Sequence, residues 1–330
     1  MKNKLYAFTV ILTLLILTTF ITMSTQASLT LSVQTDKIKY GLGDTLTFNG
    51  TLTQDGAPVS DGLVAIQIVD PADIPLVFRT VNTGTEPQSD WQVEILSVVP
   101  SDALGNPKAS FRRGTNANFN VTIINNGDEP KNVTLVLNCY YILSYEMPFD
   151  AIIYFQGEIP SGTISMAPPV IIPDSAPICA AKVYANAYTQ LPENMGYSYC
   201  PEESATFSIT DPTMSSQNVK YENSQTSSGT FNVTLSLPDQ NIRIGNYTLY
   251  ACAVFSGMQA FAYKGFEVIL FGDINGDKEV DVFDAVLLAK ASGSSPDSPN
   301  WNPNADLNND GTVDIYDAVI LAAHAGERGI

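Results

Sequence analysis

The chain has 330 residues, which is long enough for two or three domains that each bury a core of their own. Its formal net charge is -18, because 34 acidic residues outnumber 16 basic ones. Such an acidic surface repels phosphate backbones, so we expect no nucleic-acid partner. The only histidine is His324, near the C-terminus. The preceding region therefore has neither a histidine-based zinc site nor a Ser-His-Asp triad.

The first 27 residues have the pattern of an export signal. Lys2 and Lys4 precede an uncharged apolar run that extends to about Met23, and small residues follow up to Ala27. This order of charged, apolar and small residues predicts a signal peptide over residues 1–27 and a location outside the cell or at its surface. The alternative is that the run stays uncut as a membrane anchor, since its length is close to that of a spanning helix.

Apolar and polar residues alternate with a period of two from Ser28 to about Ile269, and Gly, Pro, Asn and Asp interrupt the alternation. This pattern is typical of half-buried strands in β-sandwiches, and no helical stripe occurs there. Leu46, Phe48 and Leu52, for example, fall on one face of a predicted strand. The region is therefore predicted to be mainly β.

The strands fall into three groups along the chain. Residues 28–87 supply about half a sandwich, residues 88–212 offer roughly seven candidate strands, and residues 213–269 add three more. We predict one discontinuous domain, 28–87 plus 213–269, with a second sandwich inserted at a turn. Sandwiches or half-domains in simple series are the alternative. The named strands of the insert are 93–99, 118–124, 133–141, 181–188 and 205–209.

Three short segments carry a resemblance to known domains. Residues 35–45, TDKIKYGLGDT, resemble the opening strand of macroglobulin-type immunoglobulin-like domains, and residues 245–251, GNYTLYA, resemble their closing strand. Residues 119–127, FNVTIINNG, resemble the adhesion-related, CARDB-like sandwiches of bacterial and archaeal surface proteins. The resemblance implies two immunoglobulin-like β-sandwiches, one of them discontinuous.

Four cysteines permit two disulfides in an exported chain, with three pairings that their spacing does not distinguish. They are Cys139, Cys179, Cys200 and Cys252. Cys139 and Cys179 also continue the apolar alternation of their strands, so buried free thiols are the alternative.

Five Asn-x-Thr sequons lie in the sandwich region and none lies in the acidic C-terminal segment. They are Asn49, Asn120, Asn132, Asn232 and Asn246. Glycosylation at these sites is one interpretation; the other is that Asn and Thr are simply common on exposed strand faces.

The strongest chemical pattern starts at Asp273, where a twelve-residue loop runs to Asp284 and recurs at residues 306–317. Calcium prefers six to eight hard oxygen ligands, and such a loop supplies them from positions 1, 3, 5, 7, 9 and 12. The position-7 residue gives its backbone carbonyl, the position-9 residue gives a direct or water-mediated oxygen, and the others give side-chain oxygens. The predicted ligands of two calcium ions are Asp273, Asn275, Asp277, Glu279, Asp281 and Asp284, and Asp306, Asn308, Asp310, Thr312, Asp314 and Asp317. Without metal these carboxylates repel one another, so binding should be coupled to folding.

Each loop leads into a short apolar segment, 285–289 or 318–322, which is predicted to be helical. EF-hands have a helix before the loop and usually Glu at position 12, whereas here a strand-like segment precedes the first loop and both loops end in Asp. Residues 270–330 therefore resemble a dockerin, a small all-α domain with two calcium loops. The resemblance implies a cohesin-bearing partner. One departure is Lys278 at position 6, where Gly311 stands in the second loop.

In dockerins the residues at loop positions 10 and 11 read the partner. Here these positions hold Val282 and Phe283 in the first loop, and Ile315 and Tyr316 in the second. The resemblance implies an apolar cohesin contact that either helix could make. The alternative is that these four side chains fill the core of the small module.

An enzyme is the weaker interpretation. Carboxylates are available in the sandwich region, but none lies in a recognisable catalytic motif and no phosphate-binding glycine loop occurs. The acids are Asp150, Glu158, Glu193, Glu202 and Glu203.

Aromatic residues of the same region could stack on sugars or fill the core. They are Tyr140, Tyr141, Tyr145, Tyr197, Tyr199 and Trp91. The sequence thus predicts an extracellular, non-catalytic sandwich protein that assembles through calcium and a cohesin. The alternatives are a cell-surface adhesin or structural surface protein, and an accessory carbohydrate-binding subunit of a polysaccharide-degrading complex.

Overall fold

A computed structural model describes residues 27–84, 91–211 and 227–330. The predicted signal peptide lies outside these residues except for Ala27, and so does the predicted boundary at 212–213. The described residues are mainly β, as predicted, with two α-helices near the C-terminus. None of the described helices combines the length and apolar content needed to cross a bilayer.

The first sandwich is built from both ends of the chain. Its strands are β1 Leu29–Thr35, β2 Lys39–Tyr40, β3 Thr45–Gln54, β4 Ala57–Pro58, β5 Leu63–Val69, β6 Pro75–Asn82, β16 Thr230–Ser236, β17 Gly245–Phe255 and β18 Met258–Val268. One sheet has the order β1-β3-β16, with β4 on β3, and the other has the order β2-β18-β17-β5-β6. Early and late strands pair in both sheets, so this sandwich is discontinuous.

The alternation of the sequence explains how the two sheets meet. Leu46, Phe48 and Leu52 of β3 are fully buried, as are Ile66 of β5 and Leu249 of β17. Since alternate side chains of a strand point to opposite faces, these residues fill the space between the sheets.

The second sandwich lies between β6 and β16 in the sequence. Its strands are β7 Val93–Ser101, β8 Ser110–Arg112, β9 Asn116–Asn125, β10 Lys131–Ile142, β11 Glu146–Ile159, β12 Gly162–Met166, β13 Pro169–Ile171, β14 Ala180–Tyr188 and β15 Glu203–Thr210. One sheet has the order β11-β10-β14-β15-β8, and the other has the order β12-β9-β13 with β7 on β9. The residues between 91 and 211 therefore form nine strands, where the sequence indicated about seven.

The two sandwiches share an interface with an apolar and a charged part. Phe78 of β6 packs with Val136 and Tyr188 of the insert in one buried cluster. Beside it, the Arg79 guanidinium binds the Glu202 carboxylate at 2.7 Å and lies 3.8 Å from the centre of the Tyr184 ring. Glu202, a candidate catalytic acid in the sequence, is thus an interface residue in this structure.

The four cysteines are free and buried, so the structure contains the buried thiols that the sequence left as the alternative to disulfides. Cys252 lies in the first sandwich, whereas Cys139, Cys179 and Cys200 belong to the core of the insert. Burial raises the pKa of the Cys200 thiol to about 12 and that of Cys179 to about 11. These thiols are therefore protonated and unreactive at neutral pH.

The sequon asparagines all lie at positions that solvent can reach. Asn132, Asn232 and Asn246 are exposed, and Asn49 and Asn120 are partly exposed. Glycosylation of these residues stays a prediction.

The C-terminal module, residues 270–330, contains α1 Val282–Ala291 and α2 Ile315–His324. It follows β18 without a linker, and the backbone amide of Ile269 donates to the carbonyl of Tyr40 in the first sandwich at 2.8 Å. Val280, Leu288 and Leu321 belong to the same buried cluster as the core of that sandwich. The module is thus packed against the sandwich and shares its core.

Candidate metal centre and docking surface

The first calcium loop wraps around the carboxylate of Asp273. Its Oδ1 accepts from the backbone amides of Gly276 at 2.7 Å and Asp277 at 3.1 Å, and its Oδ2 accepts from the amide of Lys278 at 3.0 Å. Consecutive amides that converge on one carboxylate hold a tight turn. The position-1 residue therefore organises the first half of the loop.

Positions 3 and 5 continue this network. Asn275 Oδ1 accepts from the amide of Asp277 at 2.9 Å, and Asn275 Nδ2 donates to Asp277 Oδ2 at 2.8 Å. Asp277 Oδ1 accepts from the amide of Glu279 at 3.0 Å. Three predicted oxygen donors are thereby placed side by side at the turn.

The second loop repeats these contacts at the equivalent residues. Asp306 accepts from the amides of Asp310 at 3.1 Å and Gly311 at 3.0 Å. Asn308 Nδ2 donates to Asp310 Oδ2 at 2.8 Å, and Asp310 Oδ1 accepts from the amide of Thr312 at 2.9 Å. The repeated offsets of the sequence thus correspond to a repeated geometry.

The position-12 aspartates are fully buried, unlike most carboxylates in proteins. Asp284 accepts from the backbone amides of Ile274, Asn275 and Asp281 at 2.8, 3.1 and 2.8 Å. Asp317 accepts from the matching amides at 2.7 to 3.2 Å. Within the described residues neither carboxylate forms an ion pair, so each is a buried negative charge that a bound cation would compensate.

Each loop is joined to its helix by an N-terminal capping box. Asp281 caps α1 by accepting from the amide of Phe283 at 2.7 Å, while Asp284 binds the amide of Asp281. Asp314 caps α2 in the same way, accepting from the amide of Tyr316 at 2.8 Å. Positions 9 and 12 therefore serve both the loop and the start of the helix.

The donor set fits calcium. In the described residues no three His, Cys, Asp or Glu side chains form a compact metal cluster. The loops instead alternate carboxylates with an amide oxygen and a backbone carbonyl, which are hard oxygen donors without nitrogen or sulfur. Together with the two buried aspartates, which form no ion pair with a described residue, this composition suits calcium.

The two loops share a left-handed backbone at positions 4 and 6 but have glycine at different positions. The φ angles are positive at all four residues: 77° at Gly276 and 70° at Lys278 in the first loop, 57° at Asn309 and 87° at Gly311 in the second. Lys278 therefore adopts a left-handed conformation that glycine adopts without strain.

Positions 10 and 11 face solvent. The exposed fractions are 67% for Val282, 64% for Phe283, 68% for Ile315 and 66% for Tyr316. The alternative that these residues fill the core of the module is wrong, because Leu288 and Leu321 occupy the buried face of the helices.

Two further apolar residues lie on the same exposed helix faces. Val286 is 46% exposed and Val319 is 61% exposed, each four residues after the position-10 residue of its helix. Residues four apart lie on one side of a helix, so these valines extend the surface. The sequence pattern did not single out these valines, although their spacing of four from Val282 and Ile315 places them on the same helix faces. We call Val282, Phe283, Val286, Ile315, Tyr316 and Val319 the apolar docking surface.

Short backbone contacts relate the two halves by an approximate two-fold arrangement. The backbone carbonyl of Val280, at position 8 of the first loop, accepts a hydrogen bond from the amide of Gly326, beyond α2, at 2.8 Å. The backbone carbonyl of Val313, at position 8 of the second loop, accepts a hydrogen bond from the amide of Gly293, beyond α1, at 2.8 Å. Each loop is thus held by the segment that follows the helix of the other.

Comparison with known families supports this geometry. The model of the dockerin type I domain matches residues 271–324. At the level of that family, the match supports calcium binding and assembly with cohesin-bearing proteins. No curated protein matches the chain.

Solved structures are only distantly similar. The alkylpurine DNA glycosylase AlkC of Pseudomonas fluorescens has 12% identity over 37% of this chain, which spans 32% of that protein, with a TM-score of 0.28. A Niemann-Pick type C2 protein from the Japanese carpenter ant has 11% identity over 38% of this chain and 98% of its own, with a TM-score of 0.27. The alpha-2-macroglobulin of E. coli has 10% identity over 73% of this chain and 19% of its own, with a TM-score of 0.23. Likenesses this remote carry no functional argument.

Proposed function

We propose that this chain is an exported, non-catalytic sandwich protein that attaches to a cohesin-bearing partner through its calcium-loaded C-terminal module. The observation that carries the proposal is the apolar docking surface. Six apolar side chains at equivalent positions of two helices lie in solvent, next to two loops with calcium-ligand chemistry. Exposed clusters of large apolar side chains are typical of protein interaction sites.

The residues of the chain connect metal binding to the docking surface. Bound calcium supplies positive charge that offsets the loop carboxylates. Asp284 and Asp317 each hold the amides of loop positions 2, 3 and 9. Because position 9 also caps the helix, the loop fixes where α1 and α2 begin. Phe283 and Tyr316 are the second residues of α1 and α2, so the start of each helix determines the direction of these two side chains.

The approximate symmetry supports docking through either helix. Val282, Phe283 and Val286 of α1 correspond to Ile315, Tyr316 and Val319 of α2, and the exposed fractions of corresponding residues differ by at most 15 percentage points. The shapes are alike, but the Tyr316 hydroxyl has no counterpart on Phe283. A cohesin with an apolar contact face would accept both orientations, and a hydrogen-bond acceptor on it would favour α2.

Binding of the full chain to a set of immobilised cohesins, with calcium and with chelator, tests this function. We expect calcium-dependent binding by at least one cohesin, little change in Phe283→Ala or Tyr316→Ala alone, and a loss of about tenfold or more when both are changed. The control pair is Leu104→Ala and Ile171→Ala, whose parent side chains are 87% and 67% exposed on the insert. Binding that persists undiminished in the double variant contradicts the proposal.

The proposal assigns the sandwiches a supporting role without catalysis. Glu202 supports this, since its carboxylate accepts from Arg79 Nε and Nη2 and from the amide of Thr80 at 2.7 to 3.0 Å. Glu146 likewise accepts from the Tyr184 hydroxyl at 2.8 Å. These acids stabilise the interface between sandwiches. Hydrolysis of polysaccharides by the purified chain, abolished by Glu202→Gln, would contradict a non-catalytic role.

A further inference from the structure

A cleft of about 460 Å³ lies between the two sandwiches, away from the calcium loops in sequence. One wall comes from the first sandwich, with the turn between β5 and β6 and residues 238–243 before β17. The other wall comes from the insert, with residues 141–151 of the β10–β11 hairpin and the loop before β14. Its size is within the usual range for small-molecule sites, which often lie between domains.

Much of the lining is apolar. The Tyr141 ring stacks on the Phe149 ring with centroids 4.3 Å apart and planes 15° apart. Leu76, Leu143 and Met147 lie alongside, and five prolines complete the walls. The prolines are Pro75, Pro148, Pro173, Pro177 and Pro238. Such a surface suits the apolar part of an organic ligand and not a fully hydrated ion.

The charged groups of the lining are three aspartates and one arginine. Arg243 is already neutralised, since its Nη1 lies 2.6 Å from Asp70 Oδ2. Asp70 is satisfied in turn, because its Oδ1 also accepts from the amides of Ala72 at 2.8 Å and Ile74 at 2.9 Å. Arg243, the positive charge of the lining, is therefore already paired, and the lining carries a net negative charge.

Asp150 and Asp239 line the cleft without a cationic partner among the described residues, and of the two only Asp150 is partly buried. The Asp150 carboxylate forms no ion pair with a described residue; burial raises the pKa of this carboxyl, and a hydrogen bond from the backbone of Ala151 lowers it by less. Tyr141, whose side chain is 8% exposed, lies in the same lining. A partly desolvated carboxylate without a cationic partner, set between apolar walls, indicates a ligand that supplies the cation.

We propose that this cleft binds a cationic group on an apolar stem, an alkylammonium or guanidinium, which pairs with Asp150 while its stem packs on Phe149 and the prolines. Charge-assisted bonds to a partly desolvated carboxylate are stronger than neutral ones, and the aromatic faces add attraction for a cation. The net negative lining repels anionic ligands. A lysine or arginine side chain of a partner polypeptide and a free amine share this chemistry.

Three probes with one stem and different charge test the site: hexylammonium, 1-hexanol and hexanoate, titrated calorimetrically into the full chain with calcium. We expect hexylammonium to bind about tenfold or more tightly than hexanol, and hexanoate not to bind. Asp150→Asn should remove that preference, whereas Asp297→Asn, at an exposed aspartate of the C-terminal module, should leave it intact.

A second pair distinguishes the source of the cation. N-acetyl-lysine methylamide binding more tightly than hexylammonium would point to a polypeptide side chain, and the reverse order would point to a free amine. Near-ultraviolet circular dichroism checks that Asp150→Asn stays folded. Equal affinity for hexylammonium and hexanol, or tight binding of a neutral oligosaccharide that Asp150→Asn leaves unchanged, would overturn the proposal.

Discussion

Position 6 of the calcium loops shows how one residue can make two similar sites unequal. Lys278 has a φ of 70° and Gly311 a φ of 87°, so both loops turn through the left-handed region. A residue with a Cβ in this region costs about 1 kcal/mol or more relative to glycine. The first loop bears this cost at Lys278, whereas the non-glycine residue in this region of the second loop is Asn309, a residue type that adopts it more readily.

We therefore predict that Lys278→Gly tightens calcium binding at the first loop. Removing about 1 kcal/mol of strain corresponds to about fivefold in affinity. Lys278→Gln is the matched control, because it removes the charge but keeps a side chain at the strained position. Calorimetric titration of the full chain with calcium measures both. An equal gain in the two variants would assign the effect to charge and contradict the backbone explanation.

The calcium ligands of the loops could be predicted from the sequence because calcium ligation requires oxygen donors at set offsets, and their binding of the ion stays a prediction. Val286 and Val319 were not assigned, since an apolar residue in a short helix usually faces the core and nothing in the pattern shows which side is covered. The free thiols were likewise undecided, because Cys252 lies in a different sandwich from the others and only the assembled fold shows that separation.

At the scale of elements, the last four residues fasten the module to the first sandwich. Val280 N donates to the Glu327 carbonyl at 3.0 Å, and Gly329 N donates to the Lys278 carbonyl at 3.0 Å. Ile330 N then donates to the Ile242 carbonyl at 3.2 Å, in the first sandwich. This C-terminal clasp, residues 327–330, therefore connects the first calcium loop to the sandwich.

Deletion of the clasp should weaken calcium binding at the first loop and leave the second nearly unchanged. The second loop is held instead by residues after α1, with Val313 N donating to the Ser294 carbonyl at 3.0 Å. It is thus an internal control in the same titration. We expect a several-fold loss at one site, consistent with about 1 kcal/mol for exposed backbone bonds. Equal weakening of both sites would contradict a local role for the clasp.

Strand positions followed from alternation where the strands are regular. The predicted strand 181–188 corresponds to β14, and 118–124 corresponds to β9. The sequence did not single out β11, whose pairing with β10 shifts register between Leu135 and Val136 and between Cys139 and Tyr140. Each bulge shifts the alternation by one residue, which hides the period of two. The clasp was also missed, because it consists of backbone bonds.

At the scale of the whole molecule, Arg79 is central to the interface between the sandwiches. Its side chain is 12% exposed, and those of its partners Glu146 and Glu202 are 3% and 14% exposed. Removing one member of a buried ion pair leaves the others uncompensated, which typically costs about 3–5 kcal/mol.

Arg79→Ala should therefore lower the free energy of unfolding by several kcal/mol or separate the unfolding of the two sandwiches into two transitions. Lys37→Ala is the control, because Lys37 forms an ion pair with Asp44 at 3.1 Å with side chains 50% and 33% exposed. Such surface pairs contribute about 0–1 kcal/mol. Urea unfolding followed by fluorescence measures both variants. Equal effects of the two substitutions would show that the Arg79 network does not hold the sandwiches together.

The discontinuous sandwich could be predicted because neither residues 28–87 nor residues 213–269 contain enough strands to close alone. The packing of the C-terminal module against the sandwich core could not be predicted from the sequence. Val280 and Leu321 pack in the same cluster as the first sandwich, but in the sequence they resemble the core of a separate small domain. Whether the C-terminal module is a separate domain or part of the sandwich core depends on which surfaces pack together. The alternation of apolar and polar residues does not show this.

Calcium titration of the chelator-treated full chain, by calorimetry, tests the docking module most directly. We expect two saturable sites that both disappear in the double variant Asp273→Ala and Asp306→Ala, because these carboxylates organise the turns of the two loops. No saturable binding, or binding that survives in the double variant, would contradict this expectation.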